Sequence, residues 1–456
     1  MPANVVKTHT FPNGLRLIYE SHPSKLPQTH IRVFCHVGSI HEPEDLRGAA
    51  HFIEHMCFKG SRAFPSWSDV NEPFSKSGAS FNATTTKQYT CFTVDCLDSY
   101  TPQFIRILGD MMLRSKFDKK EYALERNVVR EETKMNKTKF SIEELAFSGT
   151  TYANQVDDIS YHTSGCLPYD AVMDFYHQHY IPQNIVVSVV SSISFDTIVR
   201  YVSATPFAEK IQRLEKVAPL LNYNLGALDE HCESNYMFKS EPGDTASVEI
   251  GVRVCDQFKH DDYHTLNILR KIISNTMSSR LFVELREKRG LTYRSGAYMT
   301  LYETAGVFVI YAVSDIERLI HDRKYSESNG KTPPPGVIPV MFDILDDLID
   351  NGVTEKEMKM AKQHIKDSLK MDSIAGGNKS AYNGIRLMLH NETDIIPNAE
   401  MFDKCYKRIT KTDVNAIIQK YFASRKYYFA VIGGKLPKPD VLTKFISPLK
   451  HKCKRK

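Results

Sequence analysis

A chain of 456 residues, 42% hydrophobic and 25% charged, has an ordinary globular make-up and the length for two or more cores. A formal net charge of +5 is too small on this length to point to nucleic acid, and no apolar run approaches the roughly 20 residues that span a bilayer. The nine cysteines are an odd number without a C-x-x-C pair or a secretory stretch ahead of them, which reads as a reduced, intracellular set.

Strand-like sequence begins by Thr8, and Asn13-Gly14 has the chemistry of a hairpin turn. No Arg-rich, acid-poor presequence precedes it, so the expected compartment is the cytoplasm; a mitochondrial location would require a leader that this sequence lacks. A strand over His30 to Val37 leads towards His51-Phe52-Ile53-Glu54-His55. That stretch reads H-x-x-E-H, the inverted form of the zinc-peptidase motif. On a helix, His51 and His55 share a face and can offer two nitrogens to one metal ion. Glu54 then stands beside the metal, where it can take a proton from water. Gly48 opens the helix as a turn residue, while Phe52 and Met56, four apart, face a core. Cys57 points away from the metal face and reads as packing. With 17 histidines, chance alone yields such a motif in roughly a few per cent of chains, so a third ligand has to support it.

Next come Ser77 to Thr84 and a β-rich run to Cys96, then helix formers over roughly 100–150. Within Glu121 to Met135, Glu125 and Glu132 are seven apart and fall on one face, two turns apart; Glu131 is rotated by roughly 100° from it. Either glutamate could complete a two-histidine, one-carboxylate set, the pattern that leaves zinc a position for water. The bland alternative is a solvated acidic face, although Leu124, Val128 and Val129 favour a partly buried helix. Glu143 and Glu144 read as an exposed helix start. An apolar strand follows from Ile185 to Val190.

Turn chemistry over Asn222 to Glu230 marks the boundary, giving a first domain 1–220, a linker 221–240 and a second domain 241–456. The second half repeats the plan: a strand from Ser247 to Val254, a helix from His264 to Ile273, a β pair from Ser295 to Ala312, helices over roughly 338–420 and a strand from Tyr427 to Ile432. Ser77-Gly-Ala-Ser and Ser295-Gly-Ala-Tyr occupy matching places, which reads as a degenerate internal repeat. The second half has no H-x-x-E-H, so one metal per chain is expected. Pro and Gly over 323–339 mark an exposed insertion. Lys450 to Lys456 reads as a solvated basic tail, and no G-x-x-x-x-G-K-[ST] stretch supports nucleotide chemistry.

His51, Glu54 and His55, followed by Glu132 at 132 − 55 = 77 residues, resemble the insulysin and pitrilysin superfamily, nearest to the β subunit of mitochondrial processing peptidase and its short bacterial relatives. Glu125-Arg-Asn-Val-Val-Arg-Glu-Glu132, Leu285-Arg286 through Gly290 to Tyr293, and Phe175 through Tyr180 and Pro182 to Asn184 carry the likeness along nearly the whole chain. The resemblance implies an α+β fold of two similar domains, each a mostly antiparallel sheet flanked by helices, related by ancient duplication. It implies zinc on His51, His55 and Glu132, with Glu54 as general base and Glu125 as a supporting glutamate. Asn82 and Ala83 would lie on a strand edge that pairs with an extended peptide, and Arg286 and Tyr293 would reach substrate and the developing oxyanion.

The implied function is a metalloendopeptidase acting on unfolded or presequence-like peptides. The chain is half the length of one-polypeptide family members, which implies a homodimer or a heterodimer with a related chain. The stretch Ile273 to Leu281 lacks the glycine-rich loop of the scaffold subunit, in keeping with a catalytic role. The alternative is a non-catalytic scaffold subunit of a peptidase or respiratory complex, and such subunits usually lose ligands.

Overall fold

The structure, a computed structural model, describes residues 6–22, 27–136, 142–156, 167–209, 236–256, 262–274, 276–322, 332–372, 375–393 and 395–445. The strands are β1 (Val6–Thr10), β2 (Arg16–Ser21), β3 (Gln28–Cys35), β4 (Ser80–Thr85), β5 (Thr90–Leu97), β6 (Ile185–Ser191), β7 (Tyr236–Ser240), β8 (Thr245–Val254), β9 (Arg294–Leu301), β10 (Gly306–Asp315) and β11 (Tyr428–Gly433). The helices run as α1 (Ala49–Cys57), α2 (Trp67–Ser77), α3 (Thr101–Leu113), α4 (Lys119–Asn136), α5 (Ile142–Ala146), α6 (Tyr169–His179), α7 (Phe195–Ser203), α8 (Asp262–Ile273), α9 (Val337–Asn351), α10 (Glu355–Asp372), α11 (Gly376–His390) and α12 (Lys411–Tyr421). Among the described residues no helix is long and apolar enough to cross a membrane.

The chain forms two compact units, and this α+β architecture matches the expected fold class. The first unit comprises Met1–Lys139, Thr150–Leu225 and Lys370–Ala399. Its sheet has the order β1-β2-β6-β3-β5-β4, with every neighbouring pair antiparallel except β2–β6. The hairpin expected at Asn13-Gly14 joins β1 to β2, with Gly14 at φ 87°. Successive side chains of a strand point to opposite faces. Leu17, Tyr19, Val33, Cys35, Val187, Val189, Phe92 and Val94 therefore enter one core, which α1, α3, α6 and α7 help to build. Ile18, Phe34, Val186 and Cys91 enter the opposite one with Leu387 and Met388 of α11. β6 is buried along its whole length because both faces are covered.

α11 belongs to the second half of the sequence yet covers the first sheet. It lies close because its contact face is small: a Cβ on Gly384 would stand 2.2 Å from Phe34 Cε2, and one on Gly376 would stand 2.2 Å from His30 Cδ2. Buried polar groups add to the docking, with Lys379 Nζ 2.6 Å from Glu20 Oε1 and Asn383 Nδ2 donating to Glu20 Oε2 at 2.8 Å. Gly384→Ala is expected to lower stability by about 1–3 kcal/mol, the usual cost of forcing a methyl into a packed site. Urea unfolding checks this; an unchanged midpoint would mean that α11 tolerates a wider spacing from the sheet.

The second unit comprises Phe140–Gly149, Gly226–Leu369 and Glu400–Lys456. Its sheet runs β7-β11-β8-β10-β9, again antiparallel except for one pair, β7–β11. The order and the place of the parallel pair repeat those of β2-β6-β3-β5-β4, so the internal repeat read from sequence is present in the topology. α5, from the first half of the sequence, packs on β8, β10 and β11. Each unit thus takes a helix from the other side of the proposed 221–240 linker, which is itself described only from residue 236.

Three expectations change. Residues 236–240 of the expected linker form β7, paired with β11. Residues 337–339 of the predicted insertion are already helix α9, because Pro339 falls in its first turn, where proline is tolerated. Glu143 is not on an exposed helix start: Thr300 Oγ1 donates to its Oε1 at 2.6 Å and Tyr302 OH to its Oε2 at 2.5 Å. Residues 323–331 of the insertion and the basic tail lie outside the described residues.

Candidate metal centre

α1 is a nine-residue helix whose Ala49, Ala50, Phe52, Ile53, Met56 and Cys57 are all buried. Its remaining face carries the two histidines. Gly48 precedes it at φ 87° and offers no side chain to cap it. His51 Nε2 and His55 Nε2 stand 3.2 Å apart, with their rings nearly perpendicular.

α4 lies against α1 and brings both candidate glutamates to His55. Glu125 meets one ring nitrogen, with Oε1 2.8 Å from Nδ1, and Glu132 meets the other, with Oε2 3.4 Å from Nε2. Two turns of helix are what separates them, so one face of α4 addresses both edges of the ring. Glu131 instead pairs with Lys134 at 2.6 Å. Val129 packs into the core, while Leu124 and Val128, expected to share that burial, are exposed on the outer side of α4.

His51, His55 and Glu132 can each aim one ligand atom so that all lie within 4.8 Å of one another, and no other such group occurs among the described residues. The spacing suits a small tetrahedral ion: ligands about 2.0–2.2 Å from zinc stand roughly 3.3–3.6 Å from one another. The separations of 3.2 Å and 3.4 Å agree. Two imidazoles and one carboxylate are also the donor set of catalytic zinc sites.

The surroundings bias the charges. Burial disfavours the His55 imidazolium, but the Glu125 bond and the Glu132 and Glu54 carboxylates outweigh it and raise its pKa. Burial likewise opposes the Glu125 charge, yet His55 and Lys59, whose Nζ lies 2.5 Å from Oε2, hold its pKa below the ordinary value. Glu54 is 7% exposed, and burial raises its pKa. The Thr85 hydroxyl, donating to Oε2 at 2.6 Å, and the two histidines partly offset that rise, to which Glu132 adds.

Asn82 and Ala83 lie on β4, which among the described residues pairs with β5 on one side only. Asn82 is exposed, and the Ala83 amide donates to the Asn82 side chain at 2.9 Å. That N–H therefore faces away from the β5 ladder. Thr85 ends the strand, so one free edge runs to the carboxylate of Glu54. Arg286 and Tyr293 belong to the second unit. There the Arg286 guanidinium lies 5.6 Å from the Tyr293 ring centre, beside a cleft of about 510 Å³ that Thr292, Arg294 and Arg318 also line. Tyr293 is 92% exposed.

Sequence reasoning missed three groups. Lys59 and Thr85 orient the two carboxylates. Glu42, 3% exposed, accepts the amides of Gly48 and Ala50 at 2.8 Å each. Lys59 could have been found, since it stands four after His55 on α1's extended spacing. Thr85 and Glu42 act across loops and leave no periodic signal.

Residues 16–164 match the family model described as insulinase, peptidase family M16, and residues 167–365 match that of the peptidase M16 inactive domain. An uncharacterized zinc protease of Bacillus subtilis is 29% identical over 448 residues, spanning 95% of this chain and 100% of that protein. Another, from Streptomyces coelicolor, is 28% identical over 80% of this chain and 76% of its own. Among solved structures, a protease from Helicobacter pylori superposes with a TM-score of 0.80 at 17% identity, covering 94% of this chain and 99% of its own.

Proposed function

Because the chain belongs to peptidase family M16, the insulinase family, we propose that it is a zinc metalloendopeptidase that hydrolyses unfolded peptides. The observation that carries this reading is the convergence of His51, His55 and Glu132 on one point beside the buried carboxylate of Glu54. The zinc-protease names of its bacterial relatives favour zinc, and one ligand group among the described residues supports one ion per chain. When bound there, zinc supplies Lewis acidity that makes hydroxide available near neutral pH.

His51, His55 and Glu132 hold the ion. Glu125 fixes the ring of His55 from its far nitrogen and raises its basicity, as outer partners of metal-bound histidines do. Glu54 takes the proton of the attacking water and delivers it to the leaving amine, acting as base and then acid. The raised pKa of its buried carboxyl suits both halves of that exchange. The β4 edge at Asn82 and Ala83 holds the peptide extended through main-chain hydrogen bonds, which read length and conformation more than sequence. The working form is a dimer, with itself or with a related chain.

The test is cleavage of a mixture of unfolded peptides of about 15–30 residues, long enough to pair extended with a strand edge, by the chain before and after chelation. Cleavage should cease when the metal is stripped and return with added zinc. Zinc-loaded protein that cuts nothing, alone or with candidate partner chains, would favour the scaffold alternative.

A further inference from the structure

The first amides of a helix have no acceptor one turn back, and a carboxylate placed there is favoured by the helix dipole. α1 meets that need from outside itself. Glu42 takes the Gly48 amide on Oε2 and the Ala50 amide on Oε1, both at 2.8 Å, so both oxygens grip the turn from which His51 projects. The other end of α1 is held through Glu125, which binds the ring of His55. A nine-residue helix frays readily without such restraints.

Glu42 is itself keyed to a particular place. It follows a 3₁₀ turn, Ser39–His41, whose Ser39 and Ile40 amides donate to the carbonyls of Thr86 and Lys87 at 3.3 Å and 3.0 Å. Gly38 lies so near that a Cβ there would stand 2.2 Å from the Thr86 oxygen. Asn154 ties the same turn from a further side, its Nδ2 donating to the Ser39 carbonyl at 3.3 Å. Thr86 and Lys87 form the turn between β4 and β5, directly after Thr85, which binds Glu54.

We propose that Glu42 is a positioning residue for the metal centre: it sets the first turn of α1, and so His51, against the same β4–β5 turn that orients Glu54. The proposal rests on the reading of His51, His55 and Glu132 as the metal ligands. A cap that served stability alone would leave the metal untouched, and that difference is measurable.

The experiment uses the full chain as wild type, Glu42→Gln, Glu42→Ala and Ser194→Ala. The last removes an ordinary cap, the Ser194 hydroxyl that accepts the Thr197 amide at the start of α7, a helix of the same unit that carries no proposed ligand. Zinc affinity is read by chelator competition, ligand geometry by the visible absorption of the cobalt-substituted protein, and stability by thermal unfolding of the metal-free form. Glu42→Gln should bind zinc about 10–100-fold more weakly, the scale seen for lost outer-sphere partners, with a changed cobalt spectrum. Ser194→Ala should lose stability and keep wild-type zinc affinity and spectrum. If Glu42→Ala does not fold, Glu42→Gln decides. Wild-type chain that binds zinc beside a Glu42→Gln chain that binds it equally, with the same spectrum, overturns the proposal alone. Wild-type chain that takes up no metal overturns the ligand assignment and the proposal with it.

Discussion

Replacing Glu54 with Gln is expected to lower kcat for peptide cleavage by about 10²–10⁴-fold, the usual contribution of a positioned proton-transfer group, while zinc content stays at the wild-type level. The substitution keeps the shape of the side chain, and its amide can still pair with the Thr85 hydroxyl that now donates to Oε2. What is lost is the capacity to accept a proton. His51, His55 and Glu132 are untouched, and Glu125 still holds the ring of His55. The result is read by steady-state cleavage beside metal analysis of the same sample. A Glu54→Gln protein that retains activity would remove Glu54 from the chemistry. One that loses its zinc would mean that the carboxylate helps to hold the ion.

The second large effect is on stability. Lys379→Met is expected to cost about 3–5 kcal/mol, the range found when one partner of a buried ion pair is removed. Both side chains are 4% exposed, so Glu20 would keep its charge in the core without the ammonium that pairs with it. Replacing both members, Glu20→Leu with Lys379→Met, should restore much of the loss, because an apolar pair of similar volume avoids the desolvation that the ion pair suffers. Urea unfolding of the two variants separates the contributions. A single variant as stable as the wild type would show that water reaches Glu20.

Where these residues sit in the sequence explains what could be read from it. The helical spacing of His51 and His55, and of Glu125 and Glu132, marks one face of each helix, and α1 and α4 do meet along those faces. Most strands show themselves by alternation and β6 by its apolar run, whereas β7 falls within the expected linker; Ser77-Gly-Ala against Ser295-Gly-Ala announces the repeat. α11 falls within the expected helices of 338–420, but which of its faces turns inward is illegible for a physical reason. Its inward face carries Gly376, Lys379, Ser380, Asn383 and Gly384, which period counting assigns to solvent. Those residues are inside because the sheet beneath supplies matching polar and bulky partners, and that information lies some 350 positions earlier, at Glu20 and Phe34 (379 − 20 = 359; 384 − 34 = 350). Leu124 and Val128 mislead in the opposite sense: apolar neighbours of the acids, they lie on the side of α4 that nothing described covers.

The late position of α11 has a consequence for biosynthesis. Residues up to about 209 supply every strand of the first sheet and all three proposed ligands, yet the helix that closes the sheet's second face begins at Gly376. At about 5–20 residues per second, the ribosome needs roughly 8–33 s to bridge those 167 residues (376 − 209 = 167). During that interval the nascent chain presents Ile18, Phe34 and Val186 to its surroundings. The first unit, its last strand long since made, therefore stays open on one face until the segment beginning at Gly376 has been synthesised.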